Sequence, residues 1–93
     1  MGNDLYTDAS IDLYTAVLGG EATVDTLDGH VKMTVKPGTQ PNAKLRLKGK
    51  GFPVYRKEGR FGDLYVTLKV QLPEHLSARE KELFTELSNI RKQ

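Results

Sequence analysis

Asp63-Leu64-Tyr65-Val66-Thr67-Leu68-Lys69-Val70-Gln71-Leu72 decides the fold. Leu64, Val66, Leu68, Val70 and Leu72 fill every second place, and mostly polar side chains stand between them. Successive side chains of an extended chain point to opposite faces, so this period describes a half-buried strand with those residues inward. Pro73 follows and has no amide hydrogen to give to a sheet, which ends the strand.

The same period recurs upstream. Lys44 to Lys48 turns Leu45 and Leu47 inward and Lys44, Arg46 and Lys48 outward. Leu5, Thr7, Ala9, Ile11 and Leu13 alternate with Tyr6, Asp8, Ser10 and Asp12 and form a first strand. Tyr14 to Leu18 reads as one helical turn stopped by Gly19-Gly20. Glu21 to Thr26 and Val31 to Val35 are two more strands, joined at Asp28-Gly29, the dipeptide favoured in type I′ hairpin turns. With that turn Thr26 faces Val31, Asp25 faces Lys32 and Val24 faces Met33, and a slip of one residue would put Val31, Met33 and Val35 into water. Asp4-Leu5-Tyr6-Thr7 and Asp63-Leu64-Tyr65-Val66 begin the first and last strands alike, a similarity that strand starts often share without being a repeat.

Between the fourth and last strands, Gly49 to Gly62 is longer than most hairpin connections, a length usually reserved for function or mobility. Phe52, Pro53, Val54, Tyr55 and Phe61 give it apolar surface with which to pack on itself. After Pro73, Ser77-Ala78-Arg79-Glu80 is a capping box opening a helix. Leu83, Phe84, Leu87 and Ile90 fall on one face of that helix. The face either covers the domain's own sheet or meets the same helix of a second copy. The expected fold is mainly β: a small two-layer β-sandwich of about five strands over 1–73, with a short helical turn, and a C-terminal α-helix over 74–93.

Composition narrows the function. The chain has 93 residues, the size of one domain, and a hydrophobic fraction of 38%, enough for a thin core. It has no cysteine, which removes disulfides and thiolate metal sites and suits a reducing, cytoplasmic setting. No apolar run approaches the roughly 18 residues of a membrane span, and the start lacks a signal-peptide layout. Fourteen basic and 12 acidic side chains leave a formal net charge of +2, weak for a dedicated nucleic-acid binder.

No catalytic constellation is legible. His30 and His75 do not complete a metal site. Ser10, Ser77 and Ser88 lack a nucleophile elbow, and Ser77 is explained as a cap. Gly49-Lys50-Gly51 lacks P-loop spacing and the helix that should follow. Asp28 is accounted for by its turn and Asp63 by strand initiation. These readings point to a non-enzymatic scaffold without a cofactor.

Asn3-Asp4-Leu5-Tyr6, Ala16-Val17-Leu18-Gly19-Gly20-Glu21, Thr26-Leu27-Asp28-Gly29, Pro37-Gly38-Thr39-Gln40, Leu45-Arg46-Leu47-Lys48-Gly49-Lys50-Gly51, Gly62-Asp63-Leu64-Tyr65 and Leu76-Ser77-Ala78-Arg79-Glu80-Lys81-Glu82-Leu83 together resemble the second C-terminal β-domain of DnaJ-type co-chaperones. The resemblance covers nearly the whole chain and keeps its order. It implies part of a longer protein whose J-domain, with a His-Pro-Asp tripeptide, triggers ATP hydrolysis by DnaK-type chaperones. That tripeptide is absent here, so this stretch is not expected to stimulate the ATPase.

In that family unfolded client polypeptides bind shallow apolar depressions on the β-domains, chiefly the first, and the terminal helix joins two chains. Carried over by position along the first two strands, the depression here involves Thr7, Ala9, Val24 and Thr26, and the apolar stripe of the terminal helix makes Leu83, Phe84, Leu87 and Ile90 the expected homodimer contacts. Those four depression residues are small or polar, which predicts weak client binding by this domain alone. A relative named for binding curved DNA supplies the alternative, a nucleic-acid surface on Lys48, Lys50, Arg56 and Lys57. Such contact would be nonspecific and would fade steeply with salt.

Overall fold

The computed structural model describes residues 2–55 and 59–92. In chain order the elements are β1 (Leu5–Asp12), α1 (Leu13–Leu18), β2 (Gly20–Thr26), β3 (Gly29–Val35), β4 (Lys44–Leu47), β5 (Leu64–Gln71) and α2 (Ala78–Arg91). The strands form two sheets, one ordered β1-β5-β4 and the other the pair β2-β3. The fold is mainly β, as the alternating pattern requires.

The two sheets close on one core. Ala9 and Ile11 of β1 and Leu64, Val66 and Leu68 of β5 meet Ala22 and Val24 of β2 and Met33 and Val35 of β3, with Ala16 of α1 closing one side. Leu5, Leu45, Leu47 and Val70 pack around that centre. Leu72 departs from expectation: it is 69% exposed, because β5 ends at Gln71 and the chain turns away before the leucine can follow its predecessors inward.

β1 and β5 run parallel, with Leu5 beside Leu64, Tyr6 beside Tyr65 and Ile11 beside Val70. The likeness of the two strand starts therefore has a structural counterpart. Equivalent residues sit side by side in equivalent surroundings, and the Tyr6 and Tyr65 rings stack at 5.2 Å. β4 lies antiparallel on the other side of β5, pairing Leu45 with Val66.

The β2-β3 hairpin differs from the sequence expectation by two residues. Val24 faces Val31, Asp25 faces His30 and Thr26 faces Gly29, so Leu27 and Asp28 form the turn. Thr26 explains the shift: its hydroxyl donates to the Gly29 carbonyl at 3.0 Å and accepts from the Asp28 N–H at 3.3 Å. Neither Leu27 nor Asp28 has positive φ, so this is not a type I′ turn. A displacement of two preserves the inward set, and Ala22, Val24, Met33 and Val35 are all buried. The Asp25–Lys32 pair is replaced by Asp25 Oδ1 to His30 Nδ1 at 2.6 Å.

Backbone hydrogen bonds tie the described parts of the connection after β4 together. Gly51 N–H donates to the Gly62 carbonyl, Gly62 N–H to Phe52 and Val54 N–H to Arg60 at 2.8–2.9 Å, which makes a short ribbon. Phe52, Tyr55 and Phe61 remain exposed.

α2 begins at the predicted capping box. Ser77 Oγ accepts from Glu80 N–H at 3.1 Å, and Glu80 Oε1 accepts from Ser77 N–H at 2.9 Å. No α2 side chain is buried. Its Phe84 ring lies against Tyr14 of α1, with centroids 6.3 Å apart. The helix stands off the body and contributes to an elongated molecule of 59 × 25 × 18 Å.

Candidate functional site

Three surfaces carry the residues singled out from the sequence. On α2, Leu83 and Leu87 stand one turn apart on the face that also carries Phe84 and Ile90. With Tyr14 of α1 they line an open hollow of about 350 Å³ rimmed by Glu80 and Glu86. Leu87 is 57% and Ile90 65% exposed, so this face is uncovered within the chain. A row of leucine and isoleucine side chains in water is the arrangement that marks association surfaces.

A second hollow, of about 270 Å³, lies between the start of β1 and the β2-β3 turn. Leu5, Tyr6, Thr7, Asp25, Thr26, Leu27 and Leu64 line it. The four positions carried over from the family do not form one surface. Thr7 and Thr26 line the hollow, whereas Ala9 and Val24 belong to the core and are not part of its lining. Their inward parity on strands facing the second sheet buries them. Leu5, Leu27 and Leu64 supply the apolar lining that the sequence reading missed. Leu27 was the available signal, since a leucine at a hairpin turn has no core to enter.

The third surface is the cationic edge. Lys48 is exposed and Lys50 half-buried, while Arg56 and Lys57 lie outside the described residues. Arg46 is committed elsewhere: its Nε donates to Asp63 Oδ2 at 2.7 Å. Asp63 is more than a strand start. Its Oδ1 accepts from Gly49 N–H at 3.0 Å, and its own N–H donates to Asp4 Oδ1 at 2.7 Å. The Gly49 N–H, with help from the Arg46 and Lys48 charges, holds the Asp63 carboxyl below its usual range, against a smaller opposing effect of desolvation.

Gly51 and Gly62 finish this knot. A Cβ on either would run into the Asn3 backbone carbonyl, so only glycine lets the β1 lead-in and the ribbon approach so closely. Phe52 N–H donates to that same carbonyl at 2.8 Å. The two histidines lie far from any such arrangement: His30 pairs with Asp25, and His75 is exposed before α2. Among the described residues no cluster of three potential metal ligands occurs, and no helix is long and apolar enough to cross a membrane.

A thin sandwich of two small sheets, with a capped helix projecting from it and apolar hollows at both ends, defines a β-domain built around surface contacts instead of an enclosed pocket. The chain belongs to the DnaJ C terminal domain family, which matches residues 1–73. Among curated proteins it is 47% identical over 92 residues to the chaperone protein DnaJ of Caldicellulosiruptor saccharolyticus, covering 96% of this chain and 24% of that protein. It is 42% identical over 88 residues to the chaperone protein DnaJ of Dictyoglomus thermophilum, covering 95% and 23%. The corresponding protein of Clostridium beijerinckii is 49% identical over 81 residues, covering 87% and 21%. The chain thus spans about a quarter of the length of the curated relatives it matches.

Proposed function

We propose that the chain is a non-enzymatic chaperone module that pairs two copies through α2 and presents unfolded polypeptides to a DnaK-type partner in the context of a full-length DnaJ-like protein. Family membership over 1–73 supports the chaperone assignment. The observation that carries the pairing is the uncovered row Leu83, Phe84, Leu87 and Ile90, which lies next to exposed Tyr14 on a helix with no buried side chain. Two such faces in contact would remove from water apolar surface that the sandwich itself leaves bare. Polypeptide contact draws on the hollow of Leu5, Thr7, Thr26, Leu27 and Leu64 and on open strand edges, which accept extended segments by backbone pairing.

Sedimentation equilibrium tests the pairing. The unaltered chain should self-associate, and Phe84→Asp/Leu87→Asp should sediment as a folded monomer with unchanged strand content by circular dichroism. Association that survives the double substitution would place the interface elsewhere.

A further inference from the structure

The ribbon between β4 and β5 presents apolar rings to water while its own amides are spent. Phe52, Pro53 and Phe61 are exposed, and so is Tyr55 beyond them. Gly51 N–H donates to Gly62, Phe52 N–H to Asn3 and Val54 N–H to Arg60, all at 2.8–2.9 Å, and Pro53 has no N–H to satisfy. Gly62 N–H returns to the Phe52 carbonyl at 2.9 Å. A loop that stays in water can leave such groups to the solvent. A segment that enters a lipid interface must satisfy them itself.

Cations neighbour the rings. Lys50 and Arg60 stand one residue from the ribbon's two strands, and Lys48 leads into it. Lys48 and Arg60 are exposed, Lys50 is half-buried, and among the described residues Lys50 and Arg60 have no ion-pair partner. The acids at the ribbon's base are committed inward. Asp63 accepts from Gly49 N–H and Arg46 Nε, and Asp4 Oδ1 accepts from Asp63 N–H.

From this juxtaposition we infer that the ribbon is a membrane-surface contact, which lays Phe52 and Phe61 into the headgroup region of an anionic phospholipid bilayer while Lys48, Lys50 and Arg60 meet the lipid phosphates. Apolar rings gain by leaving water at that depth, and each cation near the surface adds an attraction that salt screens. A single-stranded nucleic acid would also meet rings and cations. Its phosphates, however, accept from free backbone N–H groups, and the ribbon offers none from Gly51 to Val54. The ribbon is tied to Asn3 before the start of β1, whereas α2 meets Tyr14 just past the end of β1, so pairing through α2 leaves the contact open.

Vesicle sedimentation tests it, with phosphatidylcholine alone and with about a third replaced by phosphatidylglycerol. The unaltered chain should pellet with the anionic vesicles, stay in solution with the neutral ones, and be released by added salt. Lys50→Gln/Arg60→Gln should weaken binding about fivefold per removed charge. Phe52→Ser/Phe61→Ser keeps the backbone bonds and should also weaken it, with strand content by circular dichroism unchanged. The chain has no tryptophan, so Phe61→Trp places a lone reporter in the ribbon. Its emission should shift to the blue on anionic vesicles.

An unshifted Phe61→Trp emission would overturn ring insertion, even were Phe52→Ser/Phe61→Ser to misfold. Vesicle binding indifferent to Lys50→Gln/Arg60→Gln would overturn the location. Retention of labelled oligothymidylate without any vesicle binding would overturn the membrane reading in favour of a nucleic acid.

Discussion

Because α2 has no buried side chain, its stability rests on its own ends, and Ser77→Ala measures how independently it stands. The substitution removes the acceptor that Glu80 N–H uses at 3.1 Å and the reciprocal geometry that brings Glu80 Oε1 to Ser77 N–H at 2.9 Å. Loss of a serine cap costs about 1 kcal/mol, a factor of roughly five in a folded-to-unfolded ratio. A helix of 14 residues is marginal in water even with a good sequence, so that factor should be visible locally. Both proteins are compared in the Leu87→Asp/Ile90→Asp background, which keeps the Phe84–Tyr14 contact and would weaken any pairing through the α2 face. Amide exchange by NMR should quicken about fivefold at Thr85 and Glu86 and stay unchanged at Val66 and Leu68. Were the cap coupled to the whole fold, the same 1 kcal/mol would lower the thermal midpoint by about 4–8 °C. A shift of that size, or faster exchange in β5, would refute the independence of α2 from the sandwich.

Other perturbations probe the body. Leu68→Ala empties a position with no solvent exposure and should cost about 2–5 kcal/mol in urea unfolding. Gly62→Ala forces a Cβ against the Asn3 carbonyl and should destabilise by about 1–3 kcal/mol, with the largest NMR shifts at Asn3, Gly51 and Phe52. The lowered Asp63 carboxyl makes a stabilising contribution that is fully present above its unfolded-state pKa and lost as pH falls through the folded one. The gap in thermal midpoint between the unaltered chain and Asp63→Asn should therefore be widest near neutrality and close in the low carboxylate range. A gap independent of pH would show that the Asp63 charge is not what holds Gly49 and Arg46.

The strands were legible because alternation is a local property: Leu64, Val66 and Leu68 declare their face without reference to anything distant. The capping box at Ser77 and Glu80 was legible for the same reason. The hairpin turn was not, because Asp28-Gly29 advertises a type I′ turn while the Thr26 hydroxyl, bonded to Gly29, stabilises a different one. The inward set survived because the displacement was even. Pairing of β1 with β5 could not be read, since no local rule joins Leu5 to Leu64.

The same boundary runs through the functional surfaces. The α2 face was visible as a helical stripe, but that the sandwich leaves it bare could not be read from the stripe. Ala9 and Val24 entered the carried-over set because strand position alone does not tell a core side chain from one at the rim. Asp63 and its glycines looked like punctuation, and their meeting with Asn3 depends on a contact between distant segments.

The parallel union of β1 and β5 also sets an order of events during synthesis. Leu5 waits for Leu64, 59 residues later (64 minus 5), which at ribosomal speed is a delay of ~3–12 s. The β2-β3 hairpin can close as soon as it emerges, whereas β1 remains an unfinished edge with Ala9 and Ile11 bare until β5 arrives to flank it. A nascent chain of this domain is therefore itself exposed to aggregation until nearly its last strand has left the ribosome.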